Sequence, residues 1–276
     1  MVGDERRRTF GDLDANVIAV AAQKGGVGKT TTTVNLAAAL ARHHGQRVLV
    51  IDLDPQNHVS ASLHELVPPT TRRLSEVFAE RGAPEVMDIA APTSVPGLHV
   101  TANDPTLAQT EQALASRIGK ETLLREAIRA TRTHYHTILL DCPPAVGTLT
   151  LNALAAADWV LIPCEASSLA INGVHGLIDT VATVADRLNP RLDVLGILRT
   201  RVDARTRSVT ASVADALREA YGDAVLEPYV GINSDLAKAQ HAGLDIFAYA
   251  PQSRGAQHYA ALAEHLLELL SAAPRA

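Results

Sequence analysis

The run Gln23-Lys24-Gly25-Gly26-Val27-Gly28-Lys29-Thr30 has the residue types and spacing of a loop that grips phosphate. Glycines let the backbone curl until successive N–H groups point inward at anionic oxygens. A helix entered near Lys29 adds the positive end of its dipole to the same anion. Lys29 then reaches the β- and γ-phosphates, and the Thr30 hydroxyl is placed to ligate magnesium. Acids close two other short aliphatic runs: Asp52 and Asp54 follow residues 47–51, and Asp141 follows residues 138–140. A carboxylate at the carboxyl end of a buried strand stands where open α/β sheets bind ligands. The strand-then-Asp pattern at Asp141 suits a magnesium ion held through water. The chemistry implied is binding and hydrolysis of a nucleoside triphosphate.

Such residues need strands that end side by side and helices that cross between them. Hydrophobic runs of strand length alternate with helix-period stretches, the pattern of a mostly parallel sheet flanked by helices on both faces. Residues 17–22 read as a buried strand, 30–44 as a helix stopped by Gly45, and 47–52 as a second strand. Runs at 98–101, 136–142, 159–164 and 194–200 continue the strands. Helical periodicity is clearest at 121–131, 173–188, 209–220 and 256–270. The segment 67–96, richer in Pro, Thr and charge, reads as a surface excursion. The expectation is a single domain over residues 17–271, with a flexible tail at 1–16 and a short tail at 272–276.

The chain has 276 residues, 47% hydrophobic and 20% charged, which fits a soluble globular protein with a substantial core. Only 3% are aromatic, so Ala, Val, Leu and Ile must build that core. A net charge of −5 excludes a protein coated in basic charge, so any nucleic-acid contact needs a local patch. The candidate is Arg199, Arg201, Arg205 and Arg207, four arginines in nine residues, with Arg218 on the helix that follows. The bland reading of the same residues is a solvated loop whose arginines pair with Asp203 and Asp215. Two cysteines, Cys142 and Cys164, are too few for a disulfide framework or a four-Cys zinc site. Asn152 and Asp158 interrupt the long apolar runs, so no membrane span is expected. No secretory signal is read before the first strand, and a cytoplasmic location is expected.

The KGGVGKT form has Gln23 where the usual phosphate loop has Gly, and adds Lys24; it resembles the deviant Walker A motif of the ParA/MinD superfamily. Asp52-Leu53-Asp54-Pro55-Gln56-Asn57 is similar to the family's switch I motif, D-x-D-P-Q-x-N, with Asn57 where Gly is frequent and His58 after it. Asp203-Ala204-Arg205-Thr206 matches D-A-R-T, and Pro251-Gln252-Ser253-Arg254-Gly255-Ala256 is similar to the P-K-S-R-G-A element entering the last helix. Together these matches run through nearly the whole chain.

The resemblance is to the ParA/Soj partitioning branch. It implies a P-loop NTPase fold of the deviant Walker A type and a slow ATPase that uses ATP and Mg2+. It implies that Lys24, Gly25, Gly26, Val27, Gly28, Lys29, Thr30 and Thr31 cradle the nucleotide. Lys24 would reach across a homodimer to the partner's ATP, Asp54 would orient the attacking water, and Asp52 would support the magnesium shell beside Thr30 and Asp141. Residues 142–147 become switch II, and Pro228 and Tyr229 fall where the family's loop lies against adenine. The resemblance further implies non-specific DNA binding by the ATP dimer through Arg199, Arg201, Arg205, Arg207 and Arg218. It implies a ParB-like or other adaptor that accelerates hydrolysis, a plasmid, chromosome or other cargo, and nucleoid association in the ATP state. The stretch 227–233 lacks the arginines that many chromosomal members carry there.

Two alternatives accompany this reading. A MinD-like membrane switch needs a terminal amphipathic helix with a basic face. Residues 258–270 carry no Lys or Arg and read as packing, so no membrane attachment is expected. A nucleotide-gated interaction protein that ignores DNA keeps the ATP dimer and changes only what its surface recognises. Cys142 reads as a small buried residue in preference to one of a two-fold pair holding an iron–sulfur cluster.

Overall fold

The computed structural model describes residues 14–66, 73–79, 83–101, 104–165, 170–203 and 207–273, with the backbone alone at 170 and 207–211. Seven strands form one sheet: β1 (Asn16–Val20), β2 (Val48–Asp52), β3 (Ala90–Pro92), β4 (Leu98–Thr101), β5 (Thr137–Asp141), β6 (Trp159–Glu165) and β7 (Asp193–Thr200). Their order across the sheet is β3-β4-β2-β5-β1-β6-β7, and every pairing is parallel except β3 with β4. The expected strands appear with ends shifted by at most two residues.

The hydrophobic runs are continuous because both faces of the sheet are covered. Val17, Ala19, Leu49, Ile51, Ile138 and Leu140 point into one core layer. The alternate residues Ile18, Val48, Val50 and Leu139 point into the other. Helices Thr148–Ala156, Ala170–Arg187 and Arg207–Tyr221 close the first layer. Helices Lys29–His44, Ser234–His241 and Arg254–Ala272 close the second. The last of these buries Ala256, Tyr259, Leu262 and Leu266 against the domain, so its apolar face is already used. Among the described residues no helix is long and apolar enough to cross a membrane.

Strand order places the site. The chain leaves β1 for β2 on one side, and later passes from β5 across β1 to β6 on the other. The crevice at such a switch point, beyond the carboxyl ends of the strands, is where this architecture binds ligands. In register, Asp141 is the partner of both Val20 and Asp52, so the end of β1 and the two acids stand in one row.

Three expectations change. The segment 67–96 is not only a surface excursion: Leu74, Val77, Phe78, Val86 and Ile89 are buried, and β3 adds an antiparallel edge strand. Residues 67–72 and 80–82 lie outside the described residues. The helix expected at 121–131 is broken into turns at Lys120–Thr122, Leu123–Ala127 and Thr131–His134. Asn152 from a neighbouring helix takes over its hydrogen bonds, accepting from Leu124 N at 3.1 Å and donating to Lys120 O at 2.7 Å. The expected tail boundary also moves. Ala15 is buried, its N–H donates to Arg132 O at 3.1 Å, and Asn16 already belongs to β1. Helix Thr148–Ala156 escapes sequence periodicity because its three polar residues, Thr148, Thr150 and Asn152, alternate along the chain and two of them are buried, leaving no polar stripe at helical spacing.

Candidate nucleotide site

The phosphate loop leaves β1 and ends at Gly28, whose φ of 88° lies in the left-handed region, with helix Lys29–His44 beginning at the next residue. A side chain there is strained, so glycine is required to turn the loop into the helix. Gly26 has φ 76° for the same purpose. Lys29 folds back over the loop, its Nζ donating to Lys24 O at 3.3 Å. Burial lowers the Lys29 pKa, opposed by the charges of Asp141, Cys142 and Asp54.

Asp141 is fully buried and accepts from Thr30 Oγ1 at 2.7 Å and from Thr33 Oγ1 at 2.9 Å. Burial pushes its carboxyl up to about 6 against the pull of those hydroxyls and Lys29. Asp52 is raised well above the usual carboxylate range, by burial first and by Asp141 second. Two buried acids side by side repel, and a hard divalent cation would relieve that repulsion. The Thr30 hydroxyl and Asp141 carboxylate supply hard oxygen donors of the required kind. Among the described residues no cluster of three or more His, Cys, Asp or Glu forms a complete metal cage. A magnesium ion takes few protein ligands and keeps phosphate and water oxygens.

The structure gives Asp52 a role sequence reasoning did not foresee. Its Oδ1 accepts from Asp54 N and its Oδ2 from Val59 N, each at 3.1 Å. Both oxygens therefore shape the following loop. Asp54 is buried, its Oδ1 accepting from Gln56 N at 2.9 Å. Asn57 adopts φ 55°, the conformation that Gly would adopt freely. Its side chain compensates by accepting from Asp104 N at 2.7 Å and donating to Pro55 O at 2.8 Å. His58 then stands where the motif has Asn, with Nδ1 4.0 Å from Asp54 Oδ2.

Lys24 lies at the mouth of the loop, half-exposed, 3.3 Å from Glu165 Oε2. A Cβ built on neighbouring Gly25 would meet no atom within 4 Å. Cys142 is fully buried, and burial pushes its thiol far up, which is the behaviour of a packing residue.

The arginine set divides. Arg199 is buried, 8% exposed, with Nη2 donating to Leu226 O at 3.4 Å and Glu227 O at 3.2 Å. It is a clamp on the segment after Gly222, not part of an exposed basic patch. Arg201 turns to the phosphate loop, donating to Gly26 O at 3.3 Å and lying 3.5 Å from Glu165. Arg218 pairs with Glu227 at 3.0 Å on the surface. Arg205 falls outside the described residues, and Arg207 begins a helix.

A cleft of about 270 Å³ opens beside the loop, lined by Gly28, Thr31, Thr200, Val230, Ile232 and Asn233 among others. It has the place and width for the nucleoside end of a ligand whose phosphates lie in the loop. Pro228 and Tyr229 do not line it. The Tyr229 ring instead packs 5.4 Å from His258 and 5.6 Å from the Arg199 guanidinium. From the segment that follows them, Val230, Gly231, Ile232 and Asn233 line the cleft instead.

Comparison with known proteins agrees with this geometry. Residues 15–194 match a family model described as an AAA domain. The chain is 37% identical to the sporulation initiation inhibitor protein Soj of Bacillus subtilis over 250 residues, covering 91% of this chain and 97% of that one. It is 38% identical to the chromosome partitioning protein ParA of Caulobacter vibrioides over 253 residues, covering 91% and 93%. Among solved structures, cobyrinic acid a,c-diamide synthase of Mycobacterium smegmatis, with bound ADP and magnesium, superimposes with a TM-score of 0.78 at 32% identity, covering 94% and 96%. With identity of this depth over nine-tenths of both partners, and a Lys24-bearing phosphate loop set against Asp141, the chain belongs to the ParA/Soj family of P-loop ATPases.

Proposed function

We propose that this chain is a slow, magnesium-dependent ATPase that dimerises around ATP and positions cargo by riding on DNA. The observation that carries the reading is Lys24: half-exposed, paired among the described residues with Glu165, and followed by Gly25 with open space beside it. A lysine in that position is free to serve a second copy of the chain. Magnesium, when bound, screens the phosphate charge and polarises the γ-phosphate. Lys29 neutralises the phosphates, Thr30 and Asp141 supply the metal-side oxygens, and Asp54 orients water for hydrolysis. Lys24 crosses to the partner's nucleotide. Because the γ-phosphate is the differential contact, ADP leaves the dimer without its bridge.

Gly25→Val is expected to keep nucleotide binding and lose the dimer. A Cβ there meets nothing within 4 Å in one chain, but the branched side chain obstructs a closely approaching partner backbone. Calorimetry with ATP and sedimentation with ATP measure the two effects separately. Loss of both together would mean that Gly25 serves the loop itself.

In this reading DNA contact falls to Arg205, Arg207 and Arg218, since Arg199 is buried and the exposed Arg201 is engaged by Gly26 and Glu165. That division also favours a second reading, a nucleotide-gated positioning protein that ignores DNA. The deciding experiment is binding of Asp54→Ala to random-sequence duplex DNA with ATP, ADP or no nucleotide, at two salt concentrations. ATP-dependent binding that weakens steeply with salt supports the DNA-riding switch, because each neutralised phosphate adds about −0.9 to the logarithmic salt slope. Replacing Arg205 and Arg207 with Glu should then abolish it. ATP dimers that bind no DNA would select the second reading. A ParB-like or other adaptor as activator, and nucleoid association in the ATP state, follow from the first reading.

A further inference from the structure

A loop whose N–H groups face inward turns its carbonyls outward, and those carbonyls need donors of their own. Here two consecutive carbonyls of the phosphate loop find them in two consecutive residues at the end of β7. Thr200 Oγ1 donates to Val27 O at 2.8 Å, and Arg201 Nη1 donates to Gly26 O at 3.3 Å. Thr200 is buried, and a Cβ built on Gly28 would lie 3.9 Å from its Cβ and methyl, so it packs directly beside the turn into the helix. Arg201 holds its position with φ 52°, a left-handed conformation disfavoured for a side chain of its size. Its guanidinium also lies 3.5 Å from Glu165 Oε1, while the other carboxylate oxygen of Glu165 holds Lys24 at 3.3 Å.

We propose that Thr200 and Arg201 are positioning residues for the phosphate loop. They fix the carbonyls of Val27 and Gly26 outward, so the loop amides face the nucleotide phosphates before any ligand arrives. Without these donors the two peptides are free to rotate, and binding must then order them at a cost in affinity. Arg201 thereby leaves the set of DNA contacts and joins the nucleotide site. The strained backbone at Arg201 is the conformation in which its side chain serves both Gly26 and Glu165. This inference rests on the reading of the loop as a nucleotide cradle.

The test is Mg·ADP affinity of the full chain by calorimetry, because ADP reads the loop without requiring a dimer. Thr200→Val keeps the shape and removes the donor, and should weaken ADP binding about tenfold. Thr200→Ser keeps the hydroxyl and should stay near wild type. Arg201→Met keeps the apolar stem and should weaken ADP about threefold, as suits a more exposed contact. The nucleotide-free variants should keep the wild-type circular-dichroism spectrum and a cooperative melt, which separates loop positioning from loss of the fold. Unchanged affinity in Thr200→Val, or equal loss in Thr200→Ser, would overturn the Thr200 role. Arg201→Met that binds ADP normally but DNA poorly would return Arg201 to the DNA surface and overturn its role. A wild-type chain that binds no ADP would instead overturn the nucleotide reading itself.

Discussion

Lys24→Ala is expected to abolish ATP-dependent dimers while leaving ATP affinity of the single chain within a few-fold of wild type. Lys24 contributes little to its own subunit. Its ion pair among the described residues, to Glu165, is 3.3 Å long between side chains 51% and 30% exposed, and such pairs contribute about 0–1 kcal/mol. Across a dimer the same lysine would meet a phosphate in a closed, dry interface. A charge-assisted hydrogen bond there is worth about 1.5–3 kcal/mol. Two-fold symmetry repeats the contact, so removal costs about 3–6 kcal/mol, or roughly 10²–10⁴ in the dimer constant. Sedimentation velocity with ATP, ADP and no nucleotide measures the effect. Dimers of normal strength in the variant would remove Lys24 from the interface and with it the basis of the switch.

The second large effect belongs to Asp54. Asp54→Ala should lower the hydrolysis rate by about 10²–10⁴, the range for loss of a group that directs a proton or a water. Dimers should accumulate with ATP, because the step that dissolves them is blocked. Asp54 is suited to the role by placement. It is buried on the loop after β2, and its Oδ1 is steadied by Gln56 N at 2.9 Å. The other oxygen is not engaged by a backbone donor and faces His58 at 4.0 Å. Phosphate release in a single turnover, followed beside dimer content, gives both readouts. A variant that hydrolyses ATP at the wild-type rate would move the water-orienting role elsewhere in the site. Opposite dimer phenotypes for the two substitutions, one lost and one trapped, would be hard to obtain from general damage to the fold.

Much of the architecture was legible because its signals are local. A buried strand needs a short aliphatic run, a crossover helix needs a longer periodic one, and the phosphate loop needs glycine where φ must be positive. Asp52 and Asp141 could be placed at a ligand crevice from their positions at strand ends alone. The helix at Thr148–Ala156 was not legible, because its polar residues alternate and two of them are buried, so no helical period shows. The segment 67–96 misled because composition reports average polarity, whereas Leu74, Phe78 and Ile89 are buried one by one.

The candidate site shows the same division. By itself the sequence determined that Gly26 and Gly28 turn the loop, that Lys29 and Thr30 follow them, and that acids end two neighbouring strands. Each depends on a few adjacent residues and their backbone preferences. Only the tertiary structure decided which side chains share the site. Lys24 and Glu165 meet across 141 positions of sequence, and Thr200 meets Val27 across 173. Glu165 stands opposite Thr200 only because β6 and β7 pair in that register. Arginines that look alike in sequence become a buried clamp at Arg199, a donor to the phosphate loop at Arg201 and a surface pair at Arg218. The physical reason is that a guanidinium finds its partner through register and packing between distant segments, which no local pattern encodes.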